Sequence, residues 1–174
     1  MAQRLGLGLP TGIGFSDEKV GIMPDRDWKM ESRGLAWTPG ETVVAGIGQG
    51  FVLTTPLQLA VMTARIANRK YAVRPSLQAV TGRRDSIIFP PLEIAPEIID
   101  VLHRGMRAVT NGSRGTARRY DLPQQGMAGK TGTVQVKRIT KEQREKGIVD
   151  NIDRPWKERD HALFVAFAPY QRPK

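Results

Sequence analysis

The chain of 174 residues is 40% hydrophobic and 25% charged, carries a formal net charge of +10 and contains no cysteine. This composition is that of one globular domain, and it excludes a disulfide framework and a thiolate metal site. The two histidines are far apart in the sequence, so we expect no metal and no other cofactor, while the charge favours anionic partners.

The first part of the chain alternates between turn-rich and helical patterns. Residues 1–40 are dense in Gly, Pro, Asp and Ser, which predicts a loop-rich stretch. Residues 41–110 are predicted to hold a short extended segment at 41–45, a glycine-rich turn and two helices. The helices are predicted over 56–68, after a hydroxyl cap and a proline, and over 95–111. The second helix has an apolar stripe formed by Ile98, Ile99, Leu102, Met106 and Val109.

The last part, residues 111–174, has strand character at both ends of a charged segment. The alternation at 128–136 predicts one strand, and the apolar run at 161–169 predicts another. Between them, residues 137–160 form a long, charged loop. Two helices followed by two strands predict one α+β domain whose helices pack on a sheet.

Two glycine-containing segments invite a nucleotide-binding interpretation. The stretch MAGKTGTVQV at 127–136 contains Gly-Lys-Thr, but the spacing G-x-x-x-x-G-K-T fails at Gln124, and a strand follows instead of a helix. GIGQG at 46–50 fails the dinucleotide fingerprint, because Phe51 stands where the last glycine is required. Neither segment is predicted to bind a nucleotide.

Lys130-Thr131-Gly132 on a strand resembles the K-T-G of serine enzymes that carry out acyl transfer, and the physical logic of that motif fits these residues. The Lys130 ammonium raises the positive potential near a nucleophile, and the Thr131 hydroxyl can bind a substrate carboxylate. Gly132 leaves room for substrate along the strand, and the backbone N–H of Thr133 can point at a developing oxyanion. Such a K-T-G triplet is typical of serine penicillin-binding proteins and β-lactamases.

The whole chain resembles the transpeptidase domain of class B penicillin-binding proteins. The similar segments are GLGLPTGI at 6–13, Met23-Pro24 with Trp28, GIGQG at 46–50, TTPLQ at 54–58, GTA at 115–117 and HALFVAFAP at 161–169. Met23-Pro24, Trp28 and the long segment after the K-T-G strand are most similar to the elongation transpeptidases, the penicillin-binding protein 2 type. The resemblance implies a partial transpeptidase domain of the penicillin-binding protein and serine β-lactamase fold, with helices packed on an antiparallel sheet.

The resemblance also implies a reaction and its residues. Peptidoglycan stem peptides ending in D-Ala-D-Ala would acylate a serine, and an amine of a neighbouring stem would resolve the ester. Lys130 and Thr133 would be catalytic, through electrostatics with proton transfer and through an oxyanion contact. Thr131 and Gly132 would bind substrate. Implied partners are stem peptides, β-lactams and the elongation machinery including the RodA glycosyltransferase, on the periplasmic side of the bacterial inner membrane.

The family also uses a Ser-x-x-Lys nucleophile and a Ser-x-Asn or Ser-x-Asp motif upstream of its G-x-G-x-P-T-G segment. The one Ser-x-x-Lys match here, at Ser16 and Lys19, lies in the turn-rich stretch beyond the start of that segment. Two acids separate its serine from its lysine, unlike the small or apolar residues of a buried nucleophile. We therefore expect a truncated piece that is inactive alone, with its membrane anchor outside this chain.

Two alternatives use other residues. Asp100 and His103 are three apart on a predicted helix and could accompany a serine nucleophile, although surface pairs at this spacing are common. The basic stretches 65–84 and 101–120 could belong to a non-catalytic module that binds an anionic polymer, peptidoglycan or nucleic acid. Since few aromatic residues interleave with their arginines, nucleic acid is not the expected partner.

Overall fold

The computed structural model describes residues 1–78, 88–120, 122, 124, 126–136, 140, 142, 145, 147 and 149–173. Along these residues the helices are α1 (Arg26–Arg33), α2 (Pro39–Gly46), α3 (Pro56–Asn68) and α4 (Pro96–Asn111). The strands are β1 (Ala128–Val134) and β2 (His161–Phe167). Short 3₁₀ turns occur at Arg118–Tyr120, Asn151–Asp153 and Trp156–Glu158.

The two strands pair in an antiparallel sheet, with Ala128 opposite Phe167 and Val134 opposite His161. Helix α4 packs against β1, and α3 packs against β2. The core between them is formed by Leu5, Ile66, Ala67, Leu92, Ile99, Met106, Ala128 and Phe167. The predicted α+β fold, with helices packed on an antiparallel sheet, is confirmed. No helix in the described part of the chain has the length and apolar character that a bilayer crossing requires.

Helix α3 begins and ends where the sequence predicts. The Thr55 hydroxyl accepts the backbone N–H of Gln58, and the Gln58 side chain in turn accepts the Thr55 N–H at 3.1 Å. This reciprocal capping box, with Pro56 in the first turn, satisfies N–H groups that have no partner inside the helix. The capping pattern therefore sets the start of α3.

Helix α4 also has its predicted bounds, but its buried face differs from the predicted apolar stripe. Ile99 and Met106 are buried, whereas Ile98 is 44% exposed. The buried face also contains two polar residues at helical spacing, His103 and Thr110, which are 1% and 0% exposed. The stripe was predicted from hydrophobicity alone, and it missed these positions because their polar groups are satisfied inside the fold.

Two elements near the start of the chain differ from prediction. The extended segment predicted at 41–45 is wrong, because these residues lie in α2, and α1 lies within the loop-rich stretch 1–40. Thr38 caps α2, and its backbone N–H donates to the Glu41 carboxylate at 2.7 Å. The β-branched run 42–44 favours a strand locally. The capping box and the proline after it override that preference.

A buried lysine joins these two helices. Lys29 of α1 is 5% exposed, and its ammonium donates to the Glu41 carboxylate at 2.6 Å and to the Ala36 carbonyl at 2.7 Å. The hydrogen bond from Lys29 is the main reason that the pKa of Glu41 lies below its ordinary value. The ion pair therefore fixes α1 against the start of α2.

The charged segment predicted over 137–160 lies partly outside the described residues. Its described end, 149–160, contains two 3₁₀ turns. There the Arg154 guanidinium and the Asp160 carboxylate form an ion pair at 3.2 Å, and the Asn151 carboxamide accepts the Asp160 N–H at 2.8 Å. These contacts hold the chain in place just before β2 begins.

The buried imidazole of His103 links α3 to α4. Its Nε2 lies 2.6 Å from the Ile66 carbonyl, so this nitrogen carries the proton and donates. Its Nδ1 then accepts from Arg69 at 2.9 Å, and the ring packs on Phe167 with centroids 4.9 Å apart. Burial is the main cause that lowers the pKa of His103.

We expect acidification to destabilise the chain through His103. Because the folded-state pKa of His103 is lowered, the unfolded chain binds more protons below about pH 6.5. The free energy of unfolding should therefore fall between pH 7.5 and about pH 5.5, measured by urea denaturation. His103→Gln retains one donor and one acceptor but cannot titrate, so its pH dependence should be flatter. Equal pH dependence in both proteins would contradict this assignment.

Candidate active site

Strand β1 starts in the core and runs outward. Ala128 and Gly129 are buried, whereas Lys130, Gly132 and Thr133 are exposed and Thr131 is half-buried. The carbonyl just before the strand is held by α4, since the buried Thr110 hydroxyl and the Arg107 guanidinium donate to the Met127 oxygen at 2.5 Å and 2.9 Å. Helix α4 thus anchors one end of the strand that presents K-T-G.

The Gly-Thr-Ala turn of the sequence lies directly beside the K-T-G strand. The hydroxyls of Thr116 and Thr131 are 2.8 Å apart and share a hydrogen bond. Gly115 allows this placement, because a Cβ there would lie 2.3 Å from the Val109 carbonyl oxygen at the end of α4. The N–H of Ala117 donates to the same carbonyl at 3.0 Å. The structure therefore brings together two hydroxyls that are fifteen residues apart in sequence.

The Lys130 ammonium lies at the edge of an open cleft. It donates to the Thr131 carbonyl at 2.6 Å. The cleft has a volume of about 420 Å³, and residues at the end of α4 and in the following turn, including Arg114 and Thr116, line it with Lys130. Two cationic side chains and a hydroxyl at one cleft suit an anionic group such as a carboxylate.

The backbone of β1 presents polar groups at its edge away from β2. In an antiparallel strand the N–H and C=O of one residue point to the same side, and this side alternates along the strand. The carbonyl of Thr131 accepts from Lys130, and the carbonyl of Thr133 accepts from the Gln49 carboxamide at 2.9 Å. This pattern indicates that Thr131 and Thr133 direct their N–H groups towards that edge.

Gln49 is a site residue that sequence reasoning missed. It lies in the GIGQG segment, where Gly48 and Gly50 have left-handed φ values of 75° and 74°. Its backbone N–H donates to the Val44 carbonyl at 3.0 Å, and a Cβ on Gly50 would lie 3.0 Å from Val44 Cγ1. The glycines therefore permit a tight turn that aims the Gln49 side chain at β1. The glycines on either side of Gln49 are the sequence feature that indicates such a turn.

Gly129 and Gly132 have different structural roles in β1. A Cβ on Gly129 would lie 2.7 Å from the Val165 carbonyl oxygen, so a side chain there has no room against β2. Among the described residues, the nearest neighbour of a Cβ on Gly132 is Leu163, at the ordinary contact distance of 3.8 Å. Gly129 is thus required for strand packing, whereas Gly132 keeps the exposed surface of the strand clear.

The alternative nucleophile lies in an unsuitable setting. Ser16 lies in an exposed turn rather than at a helix start, and its hydroxyl is 3.4 Å from the Asp17 carboxylate. Lys19 is exposed as well. A buried serine with a precisely placed base is the arrangement that activates a hydroxyl. Ser16 is exposed, and the carboxylate next to it, that of Asp17, is exposed as well and makes a long contact.

The alternative based on Asp100 and His103 is also disfavoured by the structure. The Asp100 carboxylate pairs with the Arg69 guanidinium at 2.5 Å. Both ring nitrogens of His103 are occupied, by Arg69 and by the Ile66 carbonyl. His103 therefore has no nitrogen left to accept a proton from a serine, and its role is structural.

Comparison with known proteins agrees with the K-T-G interpretation. Residues 1–174 match the penicillin binding protein transpeptidase domain family. The chain is 34% identical to the peptidoglycan D,D-transpeptidase MrdA of Haemophilus influenzae, over 97% of the chain and 27% of that protein. The chain thus spans about a quarter of the length of this curated relative.

Solved structures give the same result. Penicillin-binding protein 2 (PBP2) of Pseudomonas aeruginosa in complex with WCK 5153 is 36% identical, with a TM-score of 0.75, over 99% of this chain and 36% of that one. PBP2 of Helicobacter pylori in complex with MreC is 31% identical, with a TM-score of 0.78, over 99% of this chain and 29% of that one.

An α+β fold with an exposed K-T-G strand is the arrangement typical of penicillin-binding proteins and serine β-lactamases. The chain belongs to the penicillin-binding protein transpeptidase family. Within this family its similarity is to MrdA and PBP2 proteins. The resemblance predicted from the K-T-G strand and the segments around it is therefore confirmed.

Proposed function

We propose that these residues form the K-T-G wall of the active-site cleft in a peptidoglycan D,D-transpeptidase of the elongation type. In the reaction a serine attacks the D-Ala-D-Ala peptide bond and forms an ester as the terminal D-alanine leaves. An amine of a neighbouring stem then attacks the ester, which forms the cross-link and frees the serine hydroxyl. The observation that carries the proposal is the exposed strand itself, whose Thr131 hydroxyl lies 2.8 Å from that of Thr116 beside the Lys130 cleft.

Four residues of the strand have roles in this proposal. Lys130 supplies positive potential and takes part in proton transfer near the serine, and Thr131 binds the terminal carboxylate of the substrate. Gly132 leaves the surface of the strand open for the peptide. The backbone N–H of Thr133 donates to the oxyanion of the tetrahedral intermediate. The Thr116 hydroxyl supports Thr131 as a second polar contact for the carboxylate.

The nucleophile is proposed to lie outside this chain. Its one Ser-x-x-Lys match is the exposed turn at Ser16, and an exposed hydroxyl beside a solvated carboxylate is a poor nucleophile. The chain alone is therefore expected to be inactive. In the longer enzyme, β-lactams would acylate the same serine as the stem peptide.

Incubation with a fluorescent penicillin tests whether the nucleophile lies outside this chain. We expect no covalent adduct on the chain by denaturing gel or by intact mass. A Ser16→Ala variant is the matched control, because it should behave as the parent does. An adduct that disappears in Ser16→Ala would contradict the proposal and identify Ser16 as the nucleophile.

The DNA upstream of the Met1 codon provides a second test. We expect an open reading frame that encodes a Ser-x-x-Lys motif followed by Ser-x-Asn or Ser-x-Asp and, further upstream, a membrane anchor. A stop codon in frame immediately before Met1, without such motifs, would contradict the proposed division.

The proposed setting is the periplasmic side of the bacterial inner membrane, together with the elongation machinery. The Helicobacter pylori relative was solved as a complex with MreC, and this supports a partner of that machinery. The RodA glycosyltransferase is proposed as a further partner on the basis of the family resemblance.

A further inference from the structure

A second pocket is rich in arginine. It has a volume of about 530 Å³ and lies between the GLGLPTG segment, the end of α3 and residues 90–93. Arg4, Arg65 and Arg74 line it, and Glu93 is the one acidic residue among the described residues that do so. The pocket therefore carries an excess of positive charge.

The guanidinium groups of Arg4 and Arg65 donate hydrogen bonds to backbone carbonyls. Arg65 donates through Nε to the Val73 oxygen at 3.1 Å and through Nη1 to the Arg4 oxygen at 2.9 Å. Arg4 donates to the Glu93 carbonyl oxygen at 2.6 Å, not to its carboxylate. Because a carbonyl carries no net charge, these bonds orient the arginines without neutralising them.

Arg65 is close enough to Arg74 for the charge of Arg74 to affect its protonation. Burial lowers the pKa of the half-buried Arg65, and the charge of Arg74 lowers it further. Within the part of the chain that the structure describes, no acceptor lies within hydrogen-bonding distance of the exposed Arg74 guanidinium. The Glu18 carboxylate accepts the Thr11 N–H at 2.7 Å and is not among the described residues that line the pocket.

Two glycines of the GLGLPTG segment make room for these arginines. Gly6 and Gly12 have left-handed φ values of 100° and 81°. A Cβ on Gly6 would lie 3.2 Å from Arg65 Nη1, and a Cβ on Gly12 would lie 3.8 Å from Arg74 Cδ. The segment therefore combines a backbone conformation that favours glycine with clearance for two cationic side chains.

We propose that this pocket binds a small oxyanion, a carboxylate or a phosphate, between the guanidinium groups of Arg65 and Arg74. Two guanidiniums with unused donors match the planar, multiple acceptors of these groups. Arg65 is fixed by its two carbonyl contacts, and Arg74 closes on the anion from the rim of the pocket. The oxyanion offsets the excess of positive charge that remains after the single carboxylate of the described lining, that of Glu93.

Isothermal titration of the chain with sodium phosphate and, separately, with sodium acetate at low ionic strength tests the site. We expect saturable binding of at least one anion, weakened about tenfold or more by Arg74→Gln. Arg74→Lys, which keeps the charge but loses the planar fork, should bind with intermediate affinity. Arg26→Gln is the control, since Arg26 is exposed on α1 outside the pocket and its loss changes the net charge equally.

The two anions distinguish the ligand class, because binding of acetate indicates a carboxylate site and binding of phosphate alone indicates a phosphate site. The proposal is overturned if the parent chain binds neither anion saturably. It is equally overturned if Arg26→Gln weakens binding as much as Arg74→Gln does, because the net charge alone would then explain the affinity. Circular dichroism establishes that each variant is folded.

Discussion

Replacing Gln58 with leucine is expected to lower the free energy of unfolding by about 2–4 kcal/mol. Gln58 is 0% exposed. Its carboxamide donates to the carbonyls of Leu9 and Val20 at 2.9 Å and 2.8 Å and accepts the Thr55 N–H at 3.1 Å. Leucine fills a similar volume but leaves these partly buried backbone groups without the Gln58 partner, and an unsatisfied group away from water costs about 1–3 kcal/mol.

Urea denaturation of Gln58→Leu measures this loss. Gln124→Leu is the matched control, because Gln124 is exposed and a surface change of this kind alters stability by less than about 0.5 kcal/mol. If the two variants have the same unfolding midpoint, the carboxamide does not hold the early loops against α3 as described.

The second large effect is expected at Gly129. A Cβ there would meet the Val165 carbonyl oxygen and the Phe164 ring, both at 2.7 Å. Since a backbone atom cannot move aside without disturbing the pairing of β1 with β2, Gly129→Ala should lower the free energy of unfolding by about 1–3 kcal/mol. Thermal or urea unfolding followed by circular dichroism measures the change.

Gly132→Ala is the matched comparison on the same strand. Its added Cβ would have its nearest contact at 3.8 Å, with Leu163, so stability should change by less than about 0.5 kcal/mol. Because the methyl group would stand on the surface proposed for the peptide, binding of substrate should weaken all the same. Equal destabilisation by Gly129→Ala and Gly132→Ala would contradict the distinct roles assigned to the two glycines.

Local signals in the sequence predicted much of the fold. The capping pattern at Thr55 and Pro56 gave the start of α3, and Asn111 followed by Gly112 gave the end of α4. The alternation of side chains that begins at Ala128 predicts the strand β1. Each of these signals depends on backbone hydrogen bonding or side-chain periodicity within a few residues. Such local patterns can be read from the sequence.

Other features depend on contacts between distant residues. The buried positions of His103 and Thr110 could not be predicted from hydrophobicity, because their partners Ile66 and Met127 lie on other parts of the chain. The bond from Gln49 to the Thr133 carbonyl likewise spans 84 residues. In α2 both signals are local: the β-branched run predicts an extended segment, whereas the capping box and proline at the start of the element stabilise a helix.

The sequence predicts candidate site residues, whose roles stay proposals, but it does not predict their arrangement in space. The triplet beginning at Lys130 could be distinguished from a phosphate loop by the spacing to Gln124 and by the strand that follows. The approach of Thr116 to Thr131 requires the close packing of Gly115 on α4. Such packing cannot be predicted from the spacing of motifs or from the composition of the sequence.

The most direct test of the proposed K-T-G wall is an NMR titration of the chain with an N-acetylated peptide ending in D-Ala-D-Ala. We predict saturable shifts at the amides of Lys130–Thr133 and Thr116, weaker binding for Thr131→Val, and no comparable shifts with the L-Ala-L-Ala peptide. Shifts confined to other parts of the chain, or equal responses to both peptides, would contradict the assignment of β1 as the strand that recognises the stem peptide.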